Sequence, residues 1–190
     1  MPIFRDVEAE DKAVIAVADL IAVSARTAPK GRGVDNILTA VVTGKEKDEL
    51  ADAMESKMEH KRNPISAFKR DAEAVRKSPA VVLIGVKGTS PKKPENPFNC
   101  GACGYETCAE FMKVKKKKGE DYTGPICMFE ALDLGIALGS AVKIASEMNI
   151  DNRLMYTLGA AAKELELLEA DVIIGIPLSA TGKNIYFDRK

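Results

Sequence analysis

The sequence predicts a three-layer α/β (α+β) domain that is interrupted near its middle by a small cysteine-rich insert. Helical patterns with one apolar face alternate with short apolar, β-branched runs, which is typical of domains whose helices cover a sheet. All four cysteines fall between residues 100 and 127, directly after a stretch rich in Pro, Lys, Ser and Asn. We therefore divide the chain into an α/β domain, residues 1–90 and 128–190, and an insert, residues 91–127.

The first half of the chain has the pattern of three helices and two strands. Val14, Val17 and Ile21 recur at helical spacing, and Pro29 ends this pattern. The continuous apolar, β-branched run at residues 80–86 is typical of a central strand that is buried on both faces. The predicted elements are helices over 8–28, 45–61 and 66–77 and strands over 37–42 and 80–86.

The second half begins, after the cysteines, with a strongly apolar helix. Leu132, Leu134 and Ile136 cannot all face one narrow stripe, so this helix is either central or lies at a subunit interface. The later elements are shorter and end in a polar tail. The predicted elements are helices over 130–148 and 160–168, strands over 153–157 and 171–176, and a tail over 177–190.

Composition favours an ordinary globular protein. The chain has 190 residues, of which 46% are hydrophobic, and its 28 Lys and Arg residues equal its 28 Asp and Glu residues. A zero net charge gives no reason to expect nucleic acid or a membrane as a partner. No run reaches the length of a membrane span, and the first residues lack the basic start of a signal peptide. We expect a cytoplasmic protein.

The cysteines are the strongest chemical pattern. Cys100, Cys103, Cys108 and Cys127 follow the spacing C-x2-C-x4-C-x18-C. Four thiolates are the ligand set of a [4Fe–4S] cluster, and the adjacent glycines leave the backbone free to turn around it. The spacing therefore predicts one [4Fe–4S] cluster with these four ligands.

Three other interpretations of the cysteines stay open. A structural zinc site also uses four thiolates, although usually as two similar short pairs. A CxxC dithiol would account for only two of the cysteines, and disulfides rarely persist in the cytoplasm. The single histidine, His60, lies outside the segment and is expected on the surface of a helix.

The cysteine segment resembles a known iron–sulfur domain. The run CGACGYETCAEFMKVKKKKGEDYTGPIC is similar to the [4Fe–4S] domain of the corrinoid iron–sulfur protein large subunit and of membrane-associated ferredoxin oxidoreductase subunits. The resemblance covers about thirty residues and includes both Cys-Gly pairs and all four ligands. Phe111 and Met112 depart from the pattern, as does the longer basic stretch before Cys127. These departures affect the surface more than the ligation.

A second resemblance covers much of the remainder. The runs AVSARTAPKGRGVDNILTAVV, DLGIALGSAVKIASEMNID and DVIIGIPLSATGKNIYFDR are similar to an early helix and strand, the central helix and the last strand of nitroreductase-type flavoproteins. The chain is identified as a member of an uncharacterised family of ferredoxin-domain proteins. The resemblance implies a nitroreductase-like scaffold, a homodimer built on the central helix, and a flavin cleft at the dimer interface.

The nitroreductase resemblance also indicates where FMN would bind. Those proteins hold the FMN phosphate with an early arginine pair and with Ser and Asn after the A-P turn, but here Lys30-Gly31-Arg32-Gly33 follows Pro29. The loop amides and cations could still form an anion site, or the loop could be merely solvated. The tail could reach the phosphate or pack on a partner subunit. The candidate FMN residues are Arg26, Lys30, Arg32, Lys183 and Arg189.

Two functions follow as hypotheses. The first is an iron–sulfur redox protein, an electron carrier or oxidoreductase, in which FMN is a possible second cofactor. The second is a non-catalytic binding or sensing module with a structural four-cysteine site of Fe–S or zinc. A basic run, Lys115 to Lys118, lies between the third and fourth cysteines and could steer an acidic electron donor such as a ferredoxin or flavodoxin. With only His60 available, histidine-based acid–base catalysis is not expected.

Overall fold

The computed structural model describes residues 3–187. Six α-helices, one 3₁₀ turn and six strands alternate along this part of the chain. In chain order they are α1 (Val7–Thr27), the 3₁₀ turn (Gly31–Gly33), β1 (Ile37–Thr43), α2 (Gly44–His60), α3 (Ala67–Arg76), β2 (Ala80–Val86), α4 (Cys108–Lys113), β3 (Lys117–Lys118), β4 (Thr123–Gly124), α5 (Met128–Glu147), β5 (Asp151–Asn152), α6 (Tyr156–Glu164) and β6 (Val172–Ser179).

The elements form three layers around a four-stranded antiparallel sheet of order β1-β2-β6-β5. Helices α1 and α5 cover one face, and α2, α3 and α6 cover the other. The central strand β2 divides its side chains between the two cores, with Val82 and Ile84 toward α1 and α5 and Val81 and Leu83 toward the opposite layer. All seven residues of β2 are buried, which confirms the predicted central strand. A strand covered on both faces has a continuous apolar sequence.

Two glycines permit the close packing of α6 on the sheet. A Cβ at Gly159 would overlap the carbonyl group of Ile173, and a Cβ at Gly175 would overlap the side chain of Leu158. Because both positions lie within regular elements, each glycine gives up local stability for a close approach of helix and strand. The α6–β6 contact is therefore closed to larger side chains.

The predictions were wrong after α5. Residues 153–157 were expected to form a strand, whereas the strand β5 is only Asp151–Asn152 and the helix α6 already begins at Tyr156. Met155 makes only an isolated bridge to Gly175, through hydrogen bonds in both directions. Helix α6 also ends at Glu164, earlier than expected, and β6 extends to Ser179 into the expected tail. Helix α6 packs on the sheet and buries Met155 and Leu158 in the same core, so apolar residues here do not distinguish a strand from a helix.

The cysteine segment leaves the sheet after β2 and returns to it before α5. The hydroxyl of Tyr122 donates to the carbonyl of Ile173 at 2.7 Å, and the amide of Thr123 donates to the carbonyl of Asp171 at 3.0 Å. These bonds attach the small β3–β4 hairpin to the start of β6. The division of the chain into an α/β domain and an insert stays a prediction.

The outer faces of α1 and α5 are apolar although they lie at the surface. Val23 is 58% exposed, and Leu132 and Ile136 are about half exposed. Such a face is unusual for a helix layer that packs only on its own sheet. Among residues 3–187 no helix combines the length and the hydropathy needed to cross a membrane.

Candidate metal centre and anion loop

The first two cysteines lie in one tight loop, which ends where the third begins a helix. Asn99, Gly101 and Gly104 all adopt positive φ, at 49°, 72° and 89°. The amide of Gly104 donates to the carbonyl of Gly101 at 2.9 Å, and the amide of Cys108 donates to the side-chain oxygen of Asn99 at 2.9 Å. Glycine reaches this backbone region without strain, so the two Cys-Gly pairs explain why the chain can turn here.

The third cysteine opens helix α4. Thr107 caps this helix, because its side chain accepts from the amide of Glu110 while the Glu110 carboxylate accepts from the Thr107 amide. Phe111 is buried and anchors α4, and the ammonium of Lys116 lies 3.4 Å from the centre of its ring. The capping box and the aromatic anchor therefore fix Cys108 relative to the hairpin that follows.

The fourth cysteine is the N-cap of α5 and is 7% exposed. Its amide donates to the carbonyl of Gly88 at 2.8 Å. The amides of Gly88 and Thr89 in turn donate to the carboxylate of Asp171 at 2.8 and 3.0 Å. Cys127 is thus held near the end of β2 and the start of β6.

The thiol of Cys103 and the carboxylate of Asp171 lie within electrostatic range of one cation, Lys116. Burial lowers the pKa of this lysine, and Cys103 and Asp171 act against that decrease. The Lys116 ammonium also donates to the carbonyl of Phe111 at 2.6 Å. This cation therefore links the Cys103 loop to the strand end that holds Cys127.

The four cysteines are free thiols whose exposure falls from Cys100, which is exposed, to Cys127, which is buried. Within residues 3–187, no three His, Cys, Asp or Glu side chains are arranged so that they could hold a metal ion. The donor set still fits an iron–sulfur cluster by its chemistry, because it supplies four thiols on a glycine-rich loop and a helix N-terminus. Ligation by these cysteines stays a prediction.

The loop after α1 was the candidate anion site. The amide of Gly31 donates to both carboxylate oxygens of Asp133, at 2.9 and 3.1 Å. Arg32 adopts a positive φ of 57°, and the amide of Gly33 donates to the carbonyl of Lys30 at 3.0 Å. Both glycine amides of this loop are therefore bound within the protein.

The candidate FMN cations are distributed over three places. Arg26 and Lys30 come together on Asp35, at 2.7 and 3.8 Å, and Lys30 also donates to the carbonyl of Ala28 at 2.9 Å. Arg32 instead donates to the carbonyl of Asn96 and stacks on the ring of Phe98 at 4.7 Å.

The two C-terminal candidates lie apart from this loop or cannot be placed. Lys183 is exposed, and the bond that orders its backbone runs from the Thr181 hydroxyl to its carbonyl at 2.6 Å. Arg189 lies outside the described residues. The structure thus brings together Arg26 and Lys30, and does not bring Arg32 or Lys183 to the same acid.

A buried group of charges, here called the Lys92 cluster, was missed by sequence reasoning. It consists of Lys92, Glu130, Asp133 and Asn36. The ammonium of Lys92 lies 2.9 Å from Glu130 Oε2 and 2.5 Å from Asp133 Oδ2, and Asn36 donates to Glu130 Oε1 at 2.7 Å. The only available signal was the pair of acids on the apolar face of α5.

The pKa shifts of the Lys92 cluster reflect its burial. Burial raises the pKa of Glu130, and the hydrogen bonds from Lys92 and Asn36 only partly offset this. Burial also lowers the pKa of Lys92, but the bonds to Asp133 and Glu130 outweigh it, so the net pKa is raised. Lys92 is therefore held as a cation between two acids.

A second group, here called the Asp121 cluster, ties the hairpin to α2 and α6. It consists of Lys57, Lys61, Asp121 and Tyr156. Lys61 and Tyr156 both donate to Asp121 Oδ2, and Lys57 lies 3.4 Å from Asp121 Oδ1. Lys57 also pairs with Glu164 at 2.8 Å. The cluster borders a cavity of about 350 Å³ that His60 and Glu120 also line.

Comparison with known structures defines the class of protein. A nitroreductase with bound FMN from Desulfitobacterium hafniense aligns with a TM-score of 0.56 at 15% identity, over 88% of this chain and 78% of that chain. A nitroreductase with bound FMN from Bacteroides fragilis also gives 0.56, at 10% identity, over 92% of this chain and 81% of that chain. The chain is a mixed α/β protein with a nitroreductase-like fold, as the sequence predicted.

The family follows from sequence comparison. A family model described as "uncharacterized protein containing a ferredoxin domain" (DUF2148) matches residues 123–189, which include Cys127. An uncharacterized protein from Archaeoglobus fulgidus is 48% identical over 180 residues, which cover 95% of this chain and 94% of that protein. The chain belongs to this family of ferredoxin-domain proteins. The ferredoxin domain named in the family description suggests a redox function.

Proposed function

We propose that this protein transfers electrons through one [4Fe–4S] cluster held by Cys100, Cys103, Cys108 and Cys127. The observation that carries the proposal is the set of four free thiols at the spacing C-x2-C-x4-C-x18-C. Cys100 and Cys103 lie on a loop with three positive-φ residues, Cys108 begins α4, and Cys127 is the N-cap of α5 beside the end of the central strand. The ferredoxin-domain family supports the same chemistry.

When bound, such a cluster supplies a one-electron redox couple. The chain's own residues set the surroundings of that couple. Cys100 stands at the surface, where an electron can enter, whereas Cys127 is enclosed against the sheet. Lys116 places a positive charge within electrostatic range of the Cys103 thiol. The proposed electron transfer does not involve a flavin, because the donors of the loop expected to bind its phosphate are hydrogen-bonded or paired with protein groups.

Metal analysis of protein prepared without oxygen tests this proposal. We expect a brown protein with about four irons per chain, since four thiolates ligate one cubane cluster. Cys103→Ala should lose the colour and most of the iron. Ala102→Ser, an exchange of similar size in the same loop, should keep both. Stoichiometric zinc with no iron after anaerobic reconstitution would sink the proposal.

The alternative function is a binding or sensing module in which the four-cysteine site is structural. The closed anion loop favours it, because no second redox cofactor is then provided for at that place. A reversible one-electron reduction of the isolated protein, followed by electron paramagnetic resonance, separates the two functions. A signal that appears on reduction and disappears on reoxidation supports electron transfer, and an iron or zinc site that no reductant changes supports the module.

We also propose that the protein forms a homodimer through the outer face of α1 and α5. Leu20, Val23, Leu132 and Ile136 expose apolar surface there, and the space above Gly135 and Gly139 is open. A twofold interface buries one such face against the same face of a second copy. Sedimentation should give a dimer at micromolar concentration, and Ile136→Glu should dissociate it. Leu165→Glu, at a similarly exposed leucine elsewhere, should leave it intact.

A negatively charged electron donor, such as a ferredoxin or flavodoxin, is the proposed partner. Lys113, Lys115, Lys117 and Lys118 are exposed beside the cysteine loop. Opposite charge raises the rate of encounter, and salt screens this effect over about 10 Å. Reduction by an acidic ferredoxin should therefore slow with added salt and with Lys115→Glu. Lys69→Glu, an exposed lysine on α3, serves as the control.

A compartment that keeps thiols reduced, such as the cytoplasm, fits this proposal, because four free cysteines are needed for ligation.

A further inference from the structure

We infer that Asp133 takes the place of an anionic ligand in the loop after α1, so that this loop does not hold a flavin phosphate. The nitroreductase-like relatives named above contain FMN, and the corresponding loop of this chain was the candidate for its phosphate. The inference depends on contacts of the loop and not on the proposed metal centre.

The two glycine amides and the three cations of the loop region already have partners among the described residues. The Gly31 amide is bound by both oxygens of Asp133, at 2.9 and 3.1 Å. The Gly33 amide is bound by the Lys30 carbonyl. The cations Arg26 and Lys30 share the carboxylate of Asp35, and Arg32 is turned toward Asn96 and Phe98. A phosphate would have to displace protein carboxylates from the same groups.

Asp133 is not a surface side chain that can swing away easily. Its side chain is 3% exposed, and it lies 2.5 Å from the ammonium of Lys92, which is itself 1% exposed. Withdrawal of Asp133 from Gly31 would break a bond of a buried cluster and leave an amide without a partner. The carboxylate is therefore a built-in part of the loop.

The space beside the loop is also filled. A Cβ placed on Gly31 would lie 3.6 Å from the nearer Asp133 oxygen and 3.8 Å from Cε of Lys92. These are ordinary packing distances, so a phosphate could lie beside Gly31 on this side only if the Asp133 side chain moved aside.

The charge of the surroundings points the same way. A phosphate beside Gly31 would meet the carboxylates of Asp133, Glu130 and Asp35, against the three cations Lys92, Lys30 and Arg26 that already neutralise them. A nearly dianionic group would then carry uncompensated charge in a partly buried site, which is unfavourable. The loop is electrostatically complete without a ligand.

Titration of the full, anaerobically prepared protein with FMN tests the inference. We expect a dissociation constant above about 100 µM for the wild-type protein. In Asp35→Asn/Asp133→Asn the loss of two negative charges frees Arg26, Lys30 and the Gly31 amide, so FMN should bind at least about tenfold more tightly. Riboflavin, which lacks the phosphate, should bind equally to both proteins. If the double variant does not fold, Asp35→Asn alone is measured instead, because Asp35 is partly exposed. It should show a smaller increase in FMN affinity.

Asp19→Asn is the matched control, since Asp19 is an exposed aspartate of α1 that makes no ion pair within residues 3–187. It should bind FMN as weakly as the wild type. The inference would be overturned if the wild type bound FMN at micromolar concentration and Lys30→Ala weakened this binding. It would also be overturned if the aspartate variants bound FMN no better than the wild type. Tight binding that survives Lys30→Ala would place the phosphate elsewhere and leave the loop closed, as inferred. The iron content is measured separately, so failure here and failure of the proposed function are distinguishable.

Discussion

The Lys92 cluster and the Asp121 cluster differ in composition and in access to water. The Lys92 cluster sets two acids against one lysine, and its charged side chains are at most 3% exposed. The Asp121 cluster sets two lysines against one aspartate that is 12% exposed, and one of those lysines has a further partner, Glu164, at the surface. We conclude that removal of a charged member of the Lys92 cluster leaves a buried charge without its partner. In the Asp121 cluster, water and neighbouring groups can take the place of a lost partner.

Removal of the buried lysine should therefore produce the largest effect. Lys92→Met leaves Glu130 and Asp133 buried beside each other without a counter-charge, and we expect a loss of about 3–5 kcal/mol in the free energy of unfolding. Urea unfolding of the metal-loaded protein measures this loss. Lys93→Met, the same exchange at the partly buried neighbour, should change stability by less than about 0.5 kcal/mol. A loss below about 1 kcal/mol in Lys92→Met would contradict the account of this cluster.

Removal of the carboxylate from the other cluster should cost less. Asp121→Asn keeps the shape and one acceptor oxygen, and Lys57 retains Glu164 and the carbonyl of Glu120. We expect a loss of about 1–3 kcal/mol, the range for a buried group that loses a charged hydrogen-bond partner. Glu120→Gln, at the exposed neighbour, is the control. If Asp121→Asn proves more destabilising than Lys92→Met, the order inferred from burial is wrong.

Acid should remove the ionic contribution of the Asp121 cluster to stability. Burial raises the pKa of Asp121, but the bonds from Lys61 and Tyr156 outweigh it, so its pKa lies below the usual value. Such a carboxyl stabilises the folded protein at neutral pH, and this contribution is lost as the pH falls below about 4. The stability difference between wild type and Asp121→Asn should therefore shrink from pH 7 to pH 3. If the stability difference between wild type and Asp121→Asn stays constant from pH 7 to pH 3, the negative charge of Asp121 does not stabilise the protein.

The prediction of smallest effect concerns an ion pair at the surface. Arg76 contacts Asp52 and Glu55 at 2.6 and 2.8 Å, and all three side chains are at least 36% exposed. Exposed pairs contribute about 0–1 kcal/mol, so Arg76→Met should fall within that range in the same unfolding assay. This variant sets the lower end of the scale on which the two clusters are compared. A loss as large as that of Asp121→Asn would mean that burial does not rank these pairs.

The parts of the fold that the sequence predicted are those in which the pattern is local. Helix α1 and strand β2 each bury a regular set of side chains, so periodicity alone located them. The region after α5 was misread because Met155 and Tyr156 serve different elements, one a bridge to the sheet and the other the first turn of α6. Where a side chain packs on a distant strand, a short window of sequence carries no sign of it.

The contacts of the candidate anion loop could not be predicted from the sequence for a related reason. Gly31 and Asp133 are 102 residues apart along the chain, and the bond between them decides whether the candidate anion loop is open. The basic composition of that loop left open whether it binds an anion or is merely solvated, and the structure supplies the acid from another helix. The cysteines are different, because their spacing alone defines a ligand set, and this prediction does not depend on the rest of the fold.

Native mass spectrometry of the anaerobically purified protein tests the central claim most directly. The account predicts that each chain carries the added mass of about four irons and four sulfides, and that Cys127→Ala loses this mass while Ala102→Ser keeps it. A chain that carries one zinc in place of the cluster, or a Cys127→Ala variant that retains the full mass, would contradict it.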